Sequence, residues 1–547
     1  MRWRCEWVVE RSGWARWGGM WRAWWLCLVL AWAGAAHALS PEDALAFAEG
    51  DTADRIAAME RLAASGDPRA EALIRAMARE AVKVRGEQVL IVEGDAAIDA
   101  VTGAAETADG AASVMINNRL RGAVQRTLAG MDLLGDDVRR QREAALRLRA
   151  SVFNQPDESQ LAVIENALAP ENAHRLDDRA RRTLEHARAA LWLGSGDAAL
   201  RLAAVQALGE VGQTIVRSKL ARQLEVETEP TVRVALSQAL SRVDAALVRS
   251  QVAGQLFTGL SLGSILLLAA LGLAITYGLM GVINMAHGEL IMIGAYATYV
   301  VQGLFRQYLP GAFEWYLLAA LPVAFLAAAL VGAVMERGVI RWLYGRPLET
   351  LLATWGLSLI LMQGVRSLFG AQNVAVENPS WMSGGVVVMG NLTLPWNRIV
   401  IIGFAVAVLV AVALIISRTR LGLFVRGVTQ NRPIAACMGV NTARVDTYAF
   451  ALGSGIAGLA GVALSQIGNV GPDLGQGYII DSFMVVVLGG VGQLAGTVYA
   501  ALGLGLLNKF IEGWAGAVLA KIAVLVFIIV FIQKRPQGIF ALKGRQA

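Results

Sequence analysis

Asn284, His287 and Glu289 fall together in one otherwise apolar stretch, Val-Ile-Asn-Met-Ala-His-Gly-Glu. Asn284 and His287, at i and i+3, share one face of a helix. Ionisable side chains in such a setting are costly and normally face the interior of a helix bundle. Two kinds of chemistry stay open for them: a structural hydrogen-bond network, or contact with a polar solute. Metal ligation is not indicated, because no further His or Cys joins the group, and no cofactor is expected. Other polar side chains punctuate later apolar runs, namely Gln466, Asn469, Asp473 and Asp481, then Asn508 with Lys509 and Glu512.

A second motif is charged. Ser417 to Val445 carries Arg418, Arg420, Arg426, Arg432 and Arg444 and no acid, with a short apolar helix, Ile434 to Met438, followed by Gly439. Its charge assigns it to the cytoplasm, and its shape reads as a dock for another protein. A third motif is Gly489-Gly490-Val-Gly492-Gln-Leu-Ala-Gly496. Glycines here either break a helix at membrane depth, where transporters place substrate sites, or let helices pack closely.

The elements that must position these residues are membrane helices. Mean hydropathy is +0.50, above the needs of a soluble domain, and the average hides a split. Residues up to about Arg249 are charged and Ala-rich, whereas from Leu256 onward apolar runs of membrane length recur. A span needs roughly 20 apolar residues. Spans are expected near 256–279, 285–305, 315–336, 349–370, 399–417, 446–467, 480–507 and 516–533. The net charge of +6 resides in short loops, so nucleic-acid binding is not implied. Arg337, Arg341 and Arg346 follow the third span, and the 418–445 loop follows the fifth, both on the cytoplasmic side by parity. Lys534, Arg535, Lys543 and Arg545 also want that side. Three spans after the loop would leave them outside, so the long 480–507 segment must cross once more or be re-entrant.

The parity starts from an exported N-terminus. From Met20, MWRAWWLCLVLAWAGAAHALS has a basic start at Arg22, an apolar core and an A-x-A site at Ala36-His37-Ala38, the pattern of a secretory signal peptide. Residues 1–38 are therefore expected to be removed, with Met20 the expected start; an uncleaved anchor is the alternative. Of Cys5, Cys27 and Cys437 only the last would remain. Residues 39–249 should form an exported helical domain, with Ser40-Pro41-Glu42-Asp43 as a helix start. A weak repeat places Arg201 to Val211 over Arg233 to Val243, 32 residues on. That period implies either a HEAT-like solenoid or an ordinary helical bundle. A hairpin is expected around Gln88–Val92 and Ala97–Val101. No catalytic set appears there, His174 and His186 being isolated. The fold class is thus all-α: about eight spans with a possible re-entrant segment, residues 250–547, behind an exported helical domain.

INMAHGELIMIGAYATY from Ile283, Ala-Ala-Cys-Met-Gly-Val-Asn from Ala435, GSGIAGLAGVA from Gly453 and DSFMVVVLGGVGQLAGT from Asp481 together resemble the branched-chain amino acid permease family of ABC importers. The resemblance covers roughly Gln251 to Arg545. Gly477 to Val487, the ending Ile532 to Phe540 and the exported extension resemble its urea-transporting branch. This resemblance implies that Asn431, Arg432, Ala435, Ala436 and Gly439 belong to a helix that docks in a cleft of an ATPase subunit. The family's Glu-Ala-Ala is replaced by Ile434-Ala435-Ala436. It further implies two cytoplasmic ATPases, a second homologous permease, a periplasmic binding protein and a lipid setting in the bacterial inner membrane. No G-x-x-x-x-G-K-[ST] occurs, so ATP hydrolysis falls to partners and the chain itself is not expected to be an enzyme. Asn284, His287, Glu289, Thr354, Gln466 and Asn508 are the candidates for a solute path. Urea import leads, amino acids or short amides are the alternative, and a passive channel or ligand sensor is a third reading.

Overall fold

Ser40 starts the first described helix as the sequence demands: its hydroxyl accepts the Asp43 amide at 3.4 Å and Pro41 takes the first helical position. The computed structural model describes residues 39–94, 96–172, 174–281, 284–390 and 392–540. The expected leader, 1–38, lies outside the described residues, as do Lys543 and Arg545. The chain divides into two units. One runs to Val211 and includes Ile215–Val243; the other holds Gly212–Thr214 and everything from Asp244.

The first unit begins with three helices, α1 (Pro41–Ala48), α2 (Thr52–Ser65) and α3 (Pro68–Ala78). The expected hairpin is present as β2 (Gln88–Glu93) and β3 (Ala96–Asp99), with Val92 opposite Ala97. It is larger than the sequence pattern implied. β1 (Val82–Arg85), β4 (Ala105–Glu106) and β5 (Ala112–Ser113) extend it to an antiparallel sheet of order β4-β3-β2-β1-β5. Two-residue strands such as β4 and β5 carry too little periodicity to be read in advance. Phe47, Met59, Leu73, Ile74, Met77, Leu90 and Leu120 bury the sheet against the helices. Six helices follow: α4 (Asn118–Leu134), α5 (Val138–Asn154), α6 (Glu158–Leu168), α7 (Asp178–Trp192), α8 (Ala198–Leu208) and α9 (Thr214–Val226).

The 32-residue repeat has a structural meaning. Arg201 in α8 donates to the Ser195 carbonyl at 3.0 Å. Arg233, in α10 (Pro230–Met280), donates to the Glu227 carbonyl at 3.0 Å. Each arginine thus clips the turn six residues before it. Arg201 also grips the Glu227 carboxylate with two bonds of 2.9 Å. The Thr228 and Glu229 amides and Gln223 complete the carboxylate's shell. The Arg201 guanidinium, then the surrounding amides, hold the Glu227 carboxyl down at about 2, from the ordinary 4.5.

Among the described residues eight helices are long and apolar enough to cross a membrane. They are α10, α11 (His287–Tyr308), α12 (Tyr316–Gly338, prefaced by a 3-10 turn), α13 (Pro347–Phe369), α14 (Trp396–Arg418), α17 (Thr442–Ser465), α19 (Leu494–Ala515) and α20 (Ala517–Lys534). A small hairpin of β6 (Gly385–Met389) and β7 (Leu392–Pro395) precedes α14, and α15 (Arg420–Gln430) and α16 (Arg432–Cys437) follow it. The expected 256–279 span lies inside α10, a 51-residue helix, so the expected boundary at 249/250 falls within a helix and not in a linker. The expected 480–507 span is two helices, α18 (Leu474–Gly489) and α19.

Contacts sort the helix ends into two faces. Tyr316 donates to the Glu377 carbonyl and to Gln466 Oε1, Val374 pairs with Val470, and Asn397 reaches the Gln466 carbonyl. These mark one face. At the opposite face, Tyr344 reaches the Met280 sulfur, Arg341 the Ala443 carbonyl, and the Ile539 amide the Leu488 carbonyl. Gly278 lies against Gly492 there. Helix α18, only 16 residues long, therefore ends on the face that holds the arginine-rich loop. The chain returns there again at Arg535–Phe540 after α19 and α20, and the extra passage demanded by the basic C-terminus is α18.

The Arg201–Glu227 pair yields a stability test. Arg201→Ala leaves a buried carboxylate short of its cation and is expected to cost the first unit about 2–4 kcal/mol, read as a lower midpoint in thermal or urea unfolding. Because the Glu227 pKa is depressed, the pair's contribution is complete above about pH 4.5 and is lost as pH falls towards 2. Arg201→Ala should flatten that part of the acid-unfolding profile.

Candidate functional site

Two places collect the residues singled out by sequence. The first is a joint at mid-depth. After Met280 the chain leaves the helix, and α11 does not restart at the face. His287 Nε2 lies 3.0 Å from the Ala269 carbonyl, eleven residues up α10 and so about 16 Å from its end at 1.5 Å per residue. His287, where α11 begins, thus stands well inside the bundle. From the opposite face, 466–473 descends before α18 begins. The two helix starts meet backbone to backbone: a Cβ on Gly288 would sit 2.6 Å from the Gly475 carbonyl oxygen.

Local hydrogen bonds explain why these segments can be non-helical at that depth. Asn284 Oδ1 accepts the Ala286 amide at 3.0 Å, and the Met285 amide donates to Thr354 Oγ1 at 3.2 Å. Ser358 donates to Glu289 Oε1 at 2.9 Å. Val374 and Val470 exchange two backbone bonds of 2.8 Å. The Ala269 carbonyl makes His287 Nε2 the protonated nitrogen. On the 284–286 stretch and α11, Asn284 Nδ2, His287 Nδ1, Glu289 Oε2 and the Tyr296 hydroxyl are buried with no protein partner. Asp473 acts electrostatically on both Glu289 and Tyr296. Among the described residues no group of His, Cys, Asp and Glu could hold a metal ion.

The six sequence-predicted path residues do not form one line. Asn284, His287, Glu289 and Thr354 gather at the joint, each fully buried in the chain's own packing. Gln466 is buried at the far face with Tyr316 and Asn397. Asn508 is half-buried on α19, beside the Lys509–Glu512 ion pair. The broken-helix glycines also lie elsewhere than at mid-depth. Gly490 and Gly492 take φ of 99° and 75°, open to glycine and hostile to other residues, and turn the chain at the face of the C-terminus. Gly489 packs on the Gly496 backbone, and a Cβ on Gly490 would meet the Phe540 carbonyl oxygen at 2.5 Å. The non-helical stretches at mid-depth, among the described residues, are instead 284–286 and 466–473.

The second place is α16. Asn431 caps it by accepting the Ile434 amide at 3.1 Å, Pro433 fixes its first turn, and Gly439, φ +83°, reverses the chain so that the Val440 amide returns to Ala435 O at 3.1 Å. Ala435 faces inward, while Ile434 and Met438 are 60% and 79% exposed. Arg432 points back into the bundle. Its guanidinium pairs with the buried Asp446 and stacks 4.9 Å from the Tyr344 ring centroid. Next to it Arg341 meets the buried Glu336, which accepts the Thr447 hydroxyl at 2.7 Å. Sequence reasoning missed Asp446, Tyr344 and Glu336. The signal for Asp446 was one residue away, since the acid-free stretch ends at Val445.

A bundle of membrane-length helices with interrupted passages at mid-depth and a capped surface helix defines a transport permease. The family model "Branched-chain amino acid transport system / permease component" matches residues 255–533, and the chain belongs to that family. It is similar to the high-affinity branched-chain amino acid permease BraD of Pseudomonas aeruginosa, 29% identical over 291 residues, 52% of this chain and 94% of that protein. It is similar to LivH of Escherichia coli, 30% identical over 298 residues with the same coverage. A shorter stretch of 98 residues, 17% of this chain, is 32% identical to 30% of the E. coli ribose import permease RbsC. No solved structure matches.

Arg432 and Asp446 form a testable unit. Arg432→Ala strands the buried carboxylate and should cost about 3 kcal/mol or more, seen as a lower melting temperature in detergent. Replacing both partners, as Arg432→Met with Asp446→Leu, should recover most of that loss, because two apolar groups leave no unpaired charge.

Proposed function

We propose that this chain is the membrane-spanning subunit of an ATP-driven importer for urea. It works with a second homologous permease, two cytoplasmic ATPase subunits and a periplasmic binding protein. The carrying observation is α16: a six-residue helix, capped at both ends, anchored inward by Arg432 and Ala435, and presenting Ile434 and Met438 outward. Such an apolar tip on a polar loop is a helix built for a groove. The chain has no phosphate loop of its own, so a docked partner supplies the ATPase. Asn431, Arg432, Ala435, Ala436 and Gly439 are the docking elements. The bacterial inner membrane is the setting, with α16 and the C-terminus in the cytoplasm and residues 39–249 outside it. That N-terminal unit, read as a HEAT-like array, offers its surface to the binding protein or the partner permease.

Urea is favoured by the segments Gly477–Val487 and Ile532–Phe540 and by the exported extension. A second reading, branched-chain amino acids, is supported by the names of the relatives that match at about 30%. The two differ in what the path must hold. Urea is neutral and rich in donors and acceptors, whereas a zwitterion also needs a counter-charge for its carboxylate. At the mid-depth joint Asn284, His287, Glu289 and Thr354 bring amide, imidazole, carboxyl and hydroxyl groups. These four are proposed to fix the two half-helix starts beside the path. Gln466 and Asn508 are assigned to the outer approach.

Uptake of labelled urea at low concentration, with and without the gene, separates the readings: loss of urea uptake with unchanged leucine uptake is expected, and the converse overturns the urea assignment. Docking has its own test. Gly439→Val forces a β-branched residue to φ +83°, and Ala435→Asp puts a charge in the helix's buried side. Either change should cut transport roughly tenfold, the equivalent of about 1.4 kcal/mol of lost docking energy. The chain should still reach the membrane. Wild-type ATPase association and transport in both variants would show that α16 is not the dock.

A further inference from the structure

Helix α18 starts at mid-depth, and one of its sides is uncovered. Asp473, Gln476, Gly477 and Ile480 are exposed and Asp481 is half-exposed. The spacing 473, 476/477, 480 is one stripe of a helix. The opposite side holds Gly475 against Gly288, and buried Ser482, Val485 and Val486. Counting from Gly489 at the cytoplasmic face, the stripe lies about 13–24 Å into the bundle, within a hydrocarbon layer about 30 Å thick.

The chemistry of this stripe is wrong for lipid. Among the described residues Asp473 has no salt-bridge partner. The Gln476 amide reaches the Met362 sulfur at 3.8 Å, a weak acceptor. Lys521, exposed on α20, lies close enough to Asp481 to attract it. Elsewhere the exposed side of α20 is Val526, Ile529 and Val530, and that of α13 includes Leu352 and Ile360, all apolar as lipid requires. A carboxylate turned to lipid at this depth costs at least about 3 kcal/mol. The stripe is therefore turned to water or to a polar protein surface.

We propose that the Asp473, Gln476, Gly477 and Asp481 stripe of α18 lines the aqueous solute path, with the companion permease closing over it. The assignment rests on the permease reading above. Carboxylates and the glutamine carbonyl accept N–H groups of a small donor-rich solute, the glutamine amide donates to its carbonyl, and Gly477, with nothing within 4 Å of a Cβ, leaves room beside them. The sequence candidates at the joint lie one layer behind this surface. Asp473 is exposed two residues before Gly475, whose backbone packs on Gly288 beside Glu289.

The test uses the complete transporter in its native membrane. Gln476→Cys, or Gly477→Cys should the first fail to accumulate, is compared with Val526→Cys on the lipid side. The unsubstituted chain sets the background from Cys437. A small hydrophilic methanethiosulfonate should label position 476 or 477 at least about tenfold faster than 526, because the reactive thiolate forms in water and not in lipid. Saturating urea should slow that labelling. Equal, slow labelling of all positions would overturn the placement. Labelling requires no turnover, whereas urea uptake by the unsubstituted transporter tests the permease reading directly. Active uptake with an inert position 476 sinks only the path. Fast labelling that an added amino acid slows and urea does not keeps the path and removes urea as its solute.

Discussion

A peptide backbone that leaves helical geometry at mid-depth has no water to turn to, so each of its amides and carbonyls must find a partner inside the protein. Two stretches of this chain face that demand, 284–286 before α11 and 466–473 before α18. Their solutions dictate much of the bundle. The Met285 amide needs Thr354, which fixes α13. The Ala286 amide needs the Asn284 side chain, so that position cannot be apolar. Val470 needs the strand-like stretch at Val374, which brings the loop after α13 inward. With both approaches satisfied, α11 and α18 can begin head to head at Gly288 and Gly475, where a side chain on either would strike the other's backbone.

The joint is tied to α16 by a single rigid element. Helix α17 begins at the face of the arginine-rich loop, where buried Asp446 holds Arg432 of α16. Seven residues on, Gly453 packs on Gly272 of α10, and farther along Gly458 packs on Gly294 of α11. Those contacts are between backbones, with no flexible side chain to absorb a displacement, as small residues permit in membrane bundles. One ion pair and these backbone contacts thus join α16, through α17, to α10 and α11. Tyr344 reinforces this link by stacking on Arg432 while bonding the Met280 sulfur at the end of α10.

Much of this was legible in the sequence because hydrophobic length and charge placement are local signals. Seven of the expected spans coincide with single helices, and the eighth was flagged by its glycines and by the stranded basic C-terminus. The 32-residue repeat was legible too, because Arg201 and Arg233 do the same capping work. What escaped was non-local. A helix of 16 residues is too short to announce itself as a crossing, so α18 merged with α19. The strands β4 and β5, two residues each, have no period to detect. Asp446 was missed because pairing across α16 and α17 is set by tertiary contact, not by spacing along the chain.

The polar residues at membrane depth show the deepest limit of reading from pattern. Sequence marks Asn284, His287, Glu289 and Asp473 as equally anomalous, because rarity in an apolar run is all it can register. Burial divides them. The first three have their surfaces taken up by the chain's own helices, each with one polar atom bonded there, and are proposed to hold the joint. Asp473 and Gln476 have no such cover. Their cost must be met by something outside this chain, and water or a polar partner surface is the only medium that can do so at that depth. The uncovered polar stripe, and not the buried cluster behind it, is therefore where this fold has room for a solute.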